Sequence, residues 1–197
     1  NAFLGFVKAS SGHAFVDGID ASANAQDARS RLAYLPENVA LYPYLSGLEN
    51  LRYFCMLSRL SLSKDGAHKL LSSSGLAVEA HDRKVAGYSK GMRQKIGLAI
   101  AKARQARAML LDEPTSGLDP SAANEFAQSV LAAKNAGMAI LMATHDLHNV
   151  LQVADRIGIL RQGQLVSEFD ARHVDHYELE RIYLEHAGAR RMEATFL

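Results

Sequence analysis

The sequence predicts an α/β fold, in which a parallel β-sheet carries an inserted helical subdomain and a small antiparallel β portion. Two apolar runs, Ala108–Leu111 and Met138–Ala143, predict strands, and the second is continuous, as expected for a parallel sheet buried on both faces. Polar residues follow each run: Asp112 and Glu113 after the first, and Thr144-His145-Asp146 after the second. Because α/β proteins bind ligands at the carboxyl ends of parallel strands, we expect a ligand site at these ends.

Helical patterns fill the region before the first of these runs. The apolar positions of one helix, which begins at Gly47, recur at i, i+3 and i+4 spacing: Leu48, Leu51, Phe54 and Cys55. Lys64–Ser73 predicts a second, shorter helix, and a third, cationic helix begins at Ser89 and runs to about Arg104. Together they define the predicted helical subdomain, at about residues 44–105.

Shorter elements complete the prediction. Asn1–Val7 is predicted to be the end of a helix, and His13–Val16 and Arg31–Leu35 are predicted strands. Asp119 and Pro120 predict the start of another helix, since aspartate caps a helix and proline is tolerated in its first turn. Beyond residue 144 we predict a helix, two strands joined by a turn, and a helical tail: Leu147–Val153, Arg156–Leu160, Gln164–Phe169 and His176–His186.

Composition limits the class of protein. The chain has 197 residues, 48% of them hydrophobic and 22% charged, which is typical of one globular domain. A formal net charge of +1 gives no overall field that would favour nucleic acid or an anionic membrane. Cys55 is the single cysteine, so no intrachain disulfide can form, which fits a reducing compartment. No apolar run reaches the roughly 20 residues that span a bilayer. We therefore expect one domain, residues 1–197, in the cytoplasm and without a nucleic-acid partner.

Four motifs follow one another in a fixed order. They are Ser89-Lys90-Gly91-Met92, Ala108–Glu113, Ser116–Asp119 and Ala143–Asp146. This series resembles the core of ABC-type ATPases, in which these positions hold the signature motif, the Walker B strand, the D-loop and the switch-histidine loop. Asp112 lies 23 residues after Ser89 (112 − 89 = 23), the interval that the family's helix-and-strand unit requires. The resemblance extends to about Phe169 and implies a P-loop-type ATPase core.

The resemblance assigns ATP hydrolysis with Mg²⁺ to the residues at the two strand ends. It implies that Asp112 holds the metal, that Glu113 is the catalytic glutamate that positions the attacking water, and that catalytic His145 contacts the γ-phosphate. A bound phosphate beside Glu113 raises the proton affinity that this role needs. Each residue also has a structural alternative, because acids can cap a loop and a Thr-His-Asp segment can cap a helix.

The remaining nucleotide contacts are implied to cross a dimer. Ser89, Lys90 and Gly91 begin a helix whose N-terminus favours an anion, and in the family this turn faces the γ-phosphate held by the other monomer. Lys90 stands where the family has a glycine, so it either contacts phosphate or lies in solvent. Asp119 is implied to organise the partner's phosphate-binding loop. Glu37 replaces the family's Q-loop glutamine and is either a second magnesium ligand or an exposed loop acid.

The phosphate-binding Walker A loop has no counterpart, since no G-x-x-x-x-G-K-[ST] pattern occurs in the sequence. That loop supplies backbone N–H groups, a lysine for the phosphates and a hydroxyl for magnesium. Asn1 aligns a few residues past it. We therefore expect an N-terminally truncated chain that binds ATP poorly.

The leading interpretation is the ATP-hydrolysing subunit of an ABC transporter. Such a subunit is a homodimer or heterodimer on the cytoplasmic face of the bacterial inner membrane, bound to a transmembrane permease that selects the substrate. The Pro36–Pro43 segment resembles that of export-type subunits. One set of side chains either lines a groove for the permease or packs the subdomain core: Leu41, Tyr42, Tyr44, Leu45 and Phe54. The alternatives are a soluble non-transport ABC ATPase and a truncated module that docks without hydrolysing ATP.

Overall fold

The computed structural model describes residues 1–187, so residues 188–197 of the predicted domain lie outside the described part. Contacts divide the chain into two compact units, Asn1–Thr144 and a second that begins at His145. Within the described residues, no helix combines the length and the apolar character needed to cross a bilayer.

A three-stranded parallel sheet organises the first unit. Its order is β3-β4-β5, formed by Leu32–Leu35, Ala108–Asp112 and Ala139–Ala143. The register pairs Leu35 with Leu111 and Asp112 with Ala143, so the three strands end at one edge. A short antiparallel hairpin precedes the sheet and consists of β1 (Phe15–Val16) and β2 (Ile19–Asp20).

Five helices accompany this sheet: α1 (Ala25–Arg31), α2 (Gly47–Leu57), α3 (Lys64–Ser73), α4 (Lys90–Ala103) and α5 (Pro120–Asn135). Serine or aspartate side chains accept a hydrogen bond from a backbone N–H in the first turn of the last four of them: Ser46, Ser63, Ser89 and Asp119. These caps explain why the starts of α2, α3, α4 and α5 agree with the sequence prediction.

Helices α2, α3 and α4 share one apolar core. Leu51 of α2, Leu71 of α3 and Ile96 of α4 are fully buried in the same cluster. Burying such side chains stabilises a fold by roughly 1.5–3 kcal/mol each. On its other side α4 packs against α5, and Lys95 forms an ion pair with Glu125 at 2.7 Å between these two helices. The helix that carries the signature turn is therefore held from both sides.

The second unit begins with α6 (Leu147–Val153). An antiparallel pair follows, β6 (Arg156–Arg161) with β7 (Gln164–Asp170), which matches the predicted antiparallel portion. The tail forms α7 (His176–Ala187), and Leu179 on this helix is buried.

The N-terminal segment differs from its prediction. Asn1–Val7 forms turns instead of the end of a helix, with hydrogen bonds from Leu4 N to Asn1 O (3.2 Å) and from Gly5 N to Ala2 O (3.0 Å). Gly5 has a φ of +68°, and a Cβ added there would lie 2.6 Å from the Cβ of Ala25. The turn therefore passes close against the start of α1. Helix α1 itself was not predicted, because its sequence is mostly polar and its N-cap makes no side-chain hydrogen bond.

Strand β5 lies where the apolar run predicts it, but the prediction of burial on both faces is wrong. Its residues alternate between exposed and half-buried, and Leu141 is 55% exposed. Both β3 and β5 are edge strands, but α1 and α4 pack on β3 and bury most of its residues, whereas β5 packs mainly against β4.

Candidate active site

Two carboxylates and a hydroxyl meet at the carboxyl ends of β4 and β5. Asp112 is the last residue of β4 and is exposed, and Glu113 follows it in a half-buried position. The backbone N–H of Glu113 donates to Ala143 O at 2.8 Å, which extends the strand pairing by one residue. Thr144 Oγ1 then donates to Glu113 Oε2 at 3.3 Å. The predicted acids therefore lie at one sheet edge, and a side chain of the neighbouring strand end contacts the second of them.

The backbone of Glu113 adopts an unfavourable conformation. Its φ is +44°, in the left-handed region that non-glycine residues seldom occupy. Holding a residue there costs on the order of 1–3 kcal/mol, and such strain concentrates at functional sites. The other non-glycine residues with positive φ in residues 1–187 lie in hydrogen-bonded turns: Asp17, Arg59, Gln105 and Gln162. Glu113 lies directly at the end of a strand, and its carbonyl oxygen accepts from Ser116 N at 3.2 Å, which closes the turn that follows.

Tyr34 contacts the first carboxylate and was missed from the sequence. It lies on β3, and its hydroxyl donates to Asp112 Oδ2 at 3.3 Å. Burial raises the pKa of Tyr34, and the charge of Asp112 and the hydrogen bond raise it further. The phenol therefore stays protonated and remains a donor to Asp112 at neutral pH. The parallel pairing of two apolar strands is the signal that places residues of β3 beside β4, but the sequence does not show which side chain reaches across.

Lys90 and Glu37, which were predicted as separate ligands, contact each other. Lys90 Nζ donates to Glu37 Oε1 at 3.1 Å and to the backbone oxygen of Ser116 at 2.6 Å. Ser116 Oγ also donates to Glu37 Oε1, at 3.1 Å. The signature turn, the segment after β3 and the D-loop are therefore joined by one small polar network. We call Glu37, Lys90 and Ser116 the bridging network.

Helix α4 also holds the backbone of the segment after β3. Gln94 is fully buried, and its Nε2 donates to Glu37 O at 2.9 Å. One turn later Gly97 faces the end of β3, where an added Cβ would lie 2.1 Å from Leu35 Cδ1. A larger residue at Gly97 would push Leu35 away. This close contact fixes the position of α4 relative to the end of β3.

Ser89 and Asp119 both serve as helix caps. Ser89 Oγ accepts from Met92 N at 3.3 Å and Asp119 Oδ1 accepts from Ala122 N at 2.9 Å, so each satisfies a backbone donor in the first helical turn. Gly91 lies close to the start of α5, since a Cβ added there would be 3.6 Å from side-chain atoms of Leu118 and Ala122. The turn that holds Ser89, Lys90 and Gly91 therefore packs against the start of α5.

His145 is the first residue of the second unit and follows Thr144 directly in the chain. Its side chain is exposed. The next residue, Asp146, caps α6, because Asp146 Oδ1 accepts from Asn149 N at 3.2 Å. Asp146 thus has the helix-capping role that the sequence analysis gave as the structural alternative for the Thr-His-Asp segment.

Asp112 fits a magnesium ion better than Glu37 does. Within residues 1–187, no group of three or more histidine, cysteine, aspartate or glutamate side chains is placed to hold a metal unaided. Mg²⁺, however, commonly takes only one or two carboxylates and completes its shell with substrate phosphates and waters. Asp112 is an exposed carboxylate of this kind, whereas Glu37 Oε1 already accepts from Lys90 and Ser116.

Comparisons with known proteins show the family that the four motifs resemble. The family model described as ABC transporter matches residues 1–116. The uncharacterized ABC transporter ATP-binding protein YdbJ of Bacillus subtilis (strain 168) is 33% identical over 173 residues, covering 87% of this chain and 56% of YdbJ. The bacitracin transport ATP-binding protein BcrA of Enterococcus faecalis is 36% identical over 154 residues, covering 77% of this chain and 49% of BcrA. The chain belongs to the ABC transporter family, and it spans about half the length of these curated relatives.

The fold is also that of solved ATP-binding cassettes. A dimeric cassette in a post-hydrolysis state, bound to ADP and Pi, matches with a TM-score of 0.72 at 22% identity. The match covers 85% of this chain and 77% of that one. This likeness confirms the predicted fold class, an α/β fold with a parallel sheet and a small antiparallel portion.

Proposed function

We propose that this chain is part of the ATP-hydrolysing subunit of an ABC transporter, which powers the movement of a substrate, by export, through a membrane permease. One observation carries the proposal. Glu113, on a strained backbone beside the exposed Asp112, accepts a hydrogen bond from Thr144 at the end of the neighbouring strand. That arrangement presents two carboxylates at the strand edge where α/β proteins bind ligands.

Asp112 and Glu113 divide the chemistry between them. Asp112 holds magnesium, which neutralises charge on the phosphates when it is bound. Glu113 accepts a hydrogen bond from the attacking water and orients it, and Thr144 fixes the carboxylate that does so. His145 donates from its ring to the γ-phosphate. In such reactions catalysis consists mostly of positioning and charge stabilisation.

The site is completed by a second copy of the subunit. The turn formed by Ser89, Lys90 and Gly91 opens α4, and the backbone N–H groups of such a helix start favour a phosphate. We propose that it faces the γ-phosphate held by the partner copy, and that Asp119 contacts the partner's phosphate-binding loop. The dimeric state of the ADP- and Pi-bound cassette supports this arrangement.

The bridging network gives a testable consequence for magnesium. In a version of the protein with a phosphate loop ahead of Asn1, Lys90→Met should lower the Mg²⁺ concentration that gives half-maximal ATPase rate, because it releases Glu37 toward the metal. Adding Glu37→Gln to Lys90→Met should raise that concentration again, because it removes the carboxylate that the first change releases from Lys90. The Lys90–Glu37 pair is partly exposed, so each shift should be no more than about fivefold. Lys64→Met, an exposed lysine on α3, serves as the control, and unchanged values in both variants would argue against Glu37 as a ligand.

The permease contact is proposed at the aromatic residues before α2. Tyr42 and Tyr44 are exposed, Tyr44 by 82%, whereas Leu41 packs against the core of the helical cluster. Exposed aromatic side chains are enriched at protein interfaces. We propose that they bind the permease and hold the subunit on the cytoplasmic face of the bacterial inner membrane.

Affinity purification of the tagged full-length protein from solubilised membranes tests this contact. A multi-spanning membrane protein should co-purify, and Tyr44→Ser should reduce its recovery several-fold. Tyr177→Ser is the matched control, since Tyr177 is 78% exposed on α7 of the second unit. Recovery of no membrane protein, or equal losses for Tyr44→Ser and Tyr177→Ser, would contradict the proposed contact.

A further inference from the structure

A cleft of about 700 Å³ opens at the edge of the sheet opposite the acid pair. It lies at the amino ends of the strands, where residues that precede β3, β4 and β5 form its floor: Arg31, Arg107 and Met138. Strand β4 has five residues, so at about 3.3 Å per residue the cleft lies roughly 13–17 Å from Asp112. The cleft is therefore separate from the proposed nucleotide site, and its volume is within the range of ligand sites.

The walls of this cleft carry positive charge. Four cationic side chains line it: Arg31, Lys102, Arg104 and Arg107. Among the described lining residues none is acidic, and the opposite wall is made of small residues at the end of α5, such as Ala136 and Gly137. A Cβ added at Gly137 would meet nothing within 4 Å, which shows open space on that side. A concave surface lined by one sign of charge concentrates the field and attracts counter-ions.

Two of these cationic side chains also donate hydrogen bonds to backbone oxygens at the C-terminal ends of helices. Lys102 Nζ donates to Ser73 O at 2.6 Å, at the end of α3, and Arg104 Nη2 donates to Arg29 O at 3.0 Å, in the last turn of α1. Cations at helix C-termini are favourable in themselves, so these contacts account for part of the charge. Each group still keeps donors beyond the one it uses, since an ammonium has three and a guanidinium five. Burial lowers the pKa of Lys102, so a bound anion would stabilise its charged form.

Contacts with helix ends do not explain why two arginines, Arg31 and Arg107, lie next to each other on the floor of the cleft. Arg107 N donates to Arg31 O at 2.8 Å, so these residues lie side by side as a continuation of the β3–β4 pairing. Arg31 forms a half-exposed ion pair with Asp17 at 3.1 Å. Among the described residues, the Arg107 side chain makes no hydrogen bond or ion pair. A bound anion would supply Arg107 with a counter-charge and could also accept from the Arg31 donors that Asp17 leaves unused.

We propose that this cleft binds a small polyanion that carries two or more phosphate groups. A guanidinium group can form two parallel hydrogen bonds with phosphate oxygens. Arg31, Arg107 and Lys102 together provide enough positive charge for more than one phosphate group. The cleft is thus a second anion site, distinct from the proposed ATP site at the other edge of the sheet.

Isothermal titration of inorganic pyrophosphate into the purified chain tests the proposal. Pyrophosphate should bind more tightly than about 1 mM, and the affinity should fall as salt rises. Arg107→Gln should weaken binding at least about tenfold, the loss expected for a hydrogen bond to a charged group. Arg107 is exposed, so its replacement should leave the melting temperature unchanged, and Lys102→Gln provides a second variant with the same expected loss.

Control variants separate this site from other sources of affinity. Lys64→Gln removes one exposed charge at the far end of α3 from Ser73 and should leave pyrophosphate binding unchanged. The absence of measurable binding, or equal losses for Lys64→Gln and Arg107→Gln, would overturn the proposal. Weakening by Lys90→Gln, with no effect of Arg107→Gln, would place pyrophosphate at the opposite edge and would also overturn it. The proposal would also be overturned if a single-stranded oligonucleotide bound more than tenfold more tightly than pyrophosphate and Arg107→Gln abolished that binding.

Discussion

Replacing Glu113 with glutamine should lower ATP turnover by about 10²- to 10³-fold in a version of the protein that carries a phosphate loop. A correctly placed general base contributes about 10²–10⁴ to a rate, and the amide cannot take a proton from water. The amide can still accept the hydrogen bond from Thr144, so the strand ends should keep their arrangement. Steady-state phosphate release measures the effect, and the Michaelis constant for ATP should change little.

The matching control is Glu79→Gln, the same chemical change at an exposed position in the helical region. This variant should hydrolyse ATP at the rate of the parent protein. Turnover in Glu113→Gln within a few-fold of the parent would show that another group activates the water, and the role assigned to Glu113 would be wrong.

The largest expected effect on stability comes from Phe126→Ala. Phe126 is 1% exposed on the inner face of α5, and removing a buried phenyl ring from a packed core costs about 3–5 kcal/mol. Domains of this size have about 5–15 kcal/mol of total stability, so the variant should lose a large part of it. Helix α5 is capped by Asp119, and its start packs against the signature turn, so loosening α5 should also weaken nucleotide-dependent function.

Urea denaturation followed by circular dichroism measures this loss. Phe6→Ala is the control, because Phe6 is 70% exposed and its removal should change the free energy of unfolding by less than about 0.5 kcal/mol. A Phe126→Ala loss below about 1 kcal/mol would show that α5 is loosely packed and that it does not hold the D-loop in place.

Local sequence signals predicted most of the helices and strands. The helix Lys64–Ser73 has the predicted bounds, and the helix that follows Ser89 begins within one residue of its predicted start, because a capping serine before a cationic run is a local signal. The same holds for Asp119 followed by proline. The acid pair at the end of β4 was also predicted from local pattern, since an apolar strand followed by two carboxylates needs no distant partner for its recognition.

Contacts between distant segments were not predicted. Lys90 and Glu37 are 53 positions apart, and each was assigned to a phosphate or a metal because no local pattern pairs them. Gln94 is a polar residue on a helix that the sequence describes as cationic on its outer face, yet it is fully buried and bonds the backbone of Glu37. Tyr34 likewise reaches Asp112 across the sheet. Such pairings depend on how strands and helices pack, which sequence periodicity does not specify.

The central claim is that the carboxylates of one copy and the signature turn of another act on the same nucleotide. Sedimentation velocity on the Glu113→Gln protein with a phosphate loop, in ATP and Mg²⁺, tests it most directly. We predict a dimer for Glu113→Gln, and a monomer when Gly91→Asp is added, since an acid at the start of α4 repels phosphate. Gly87→Asp, at an open position, is the control and should stay dimeric. Dimers that persist with Gly91→Asp, or Glu113→Gln protein that binds ATP as a monomer, would contradict the account.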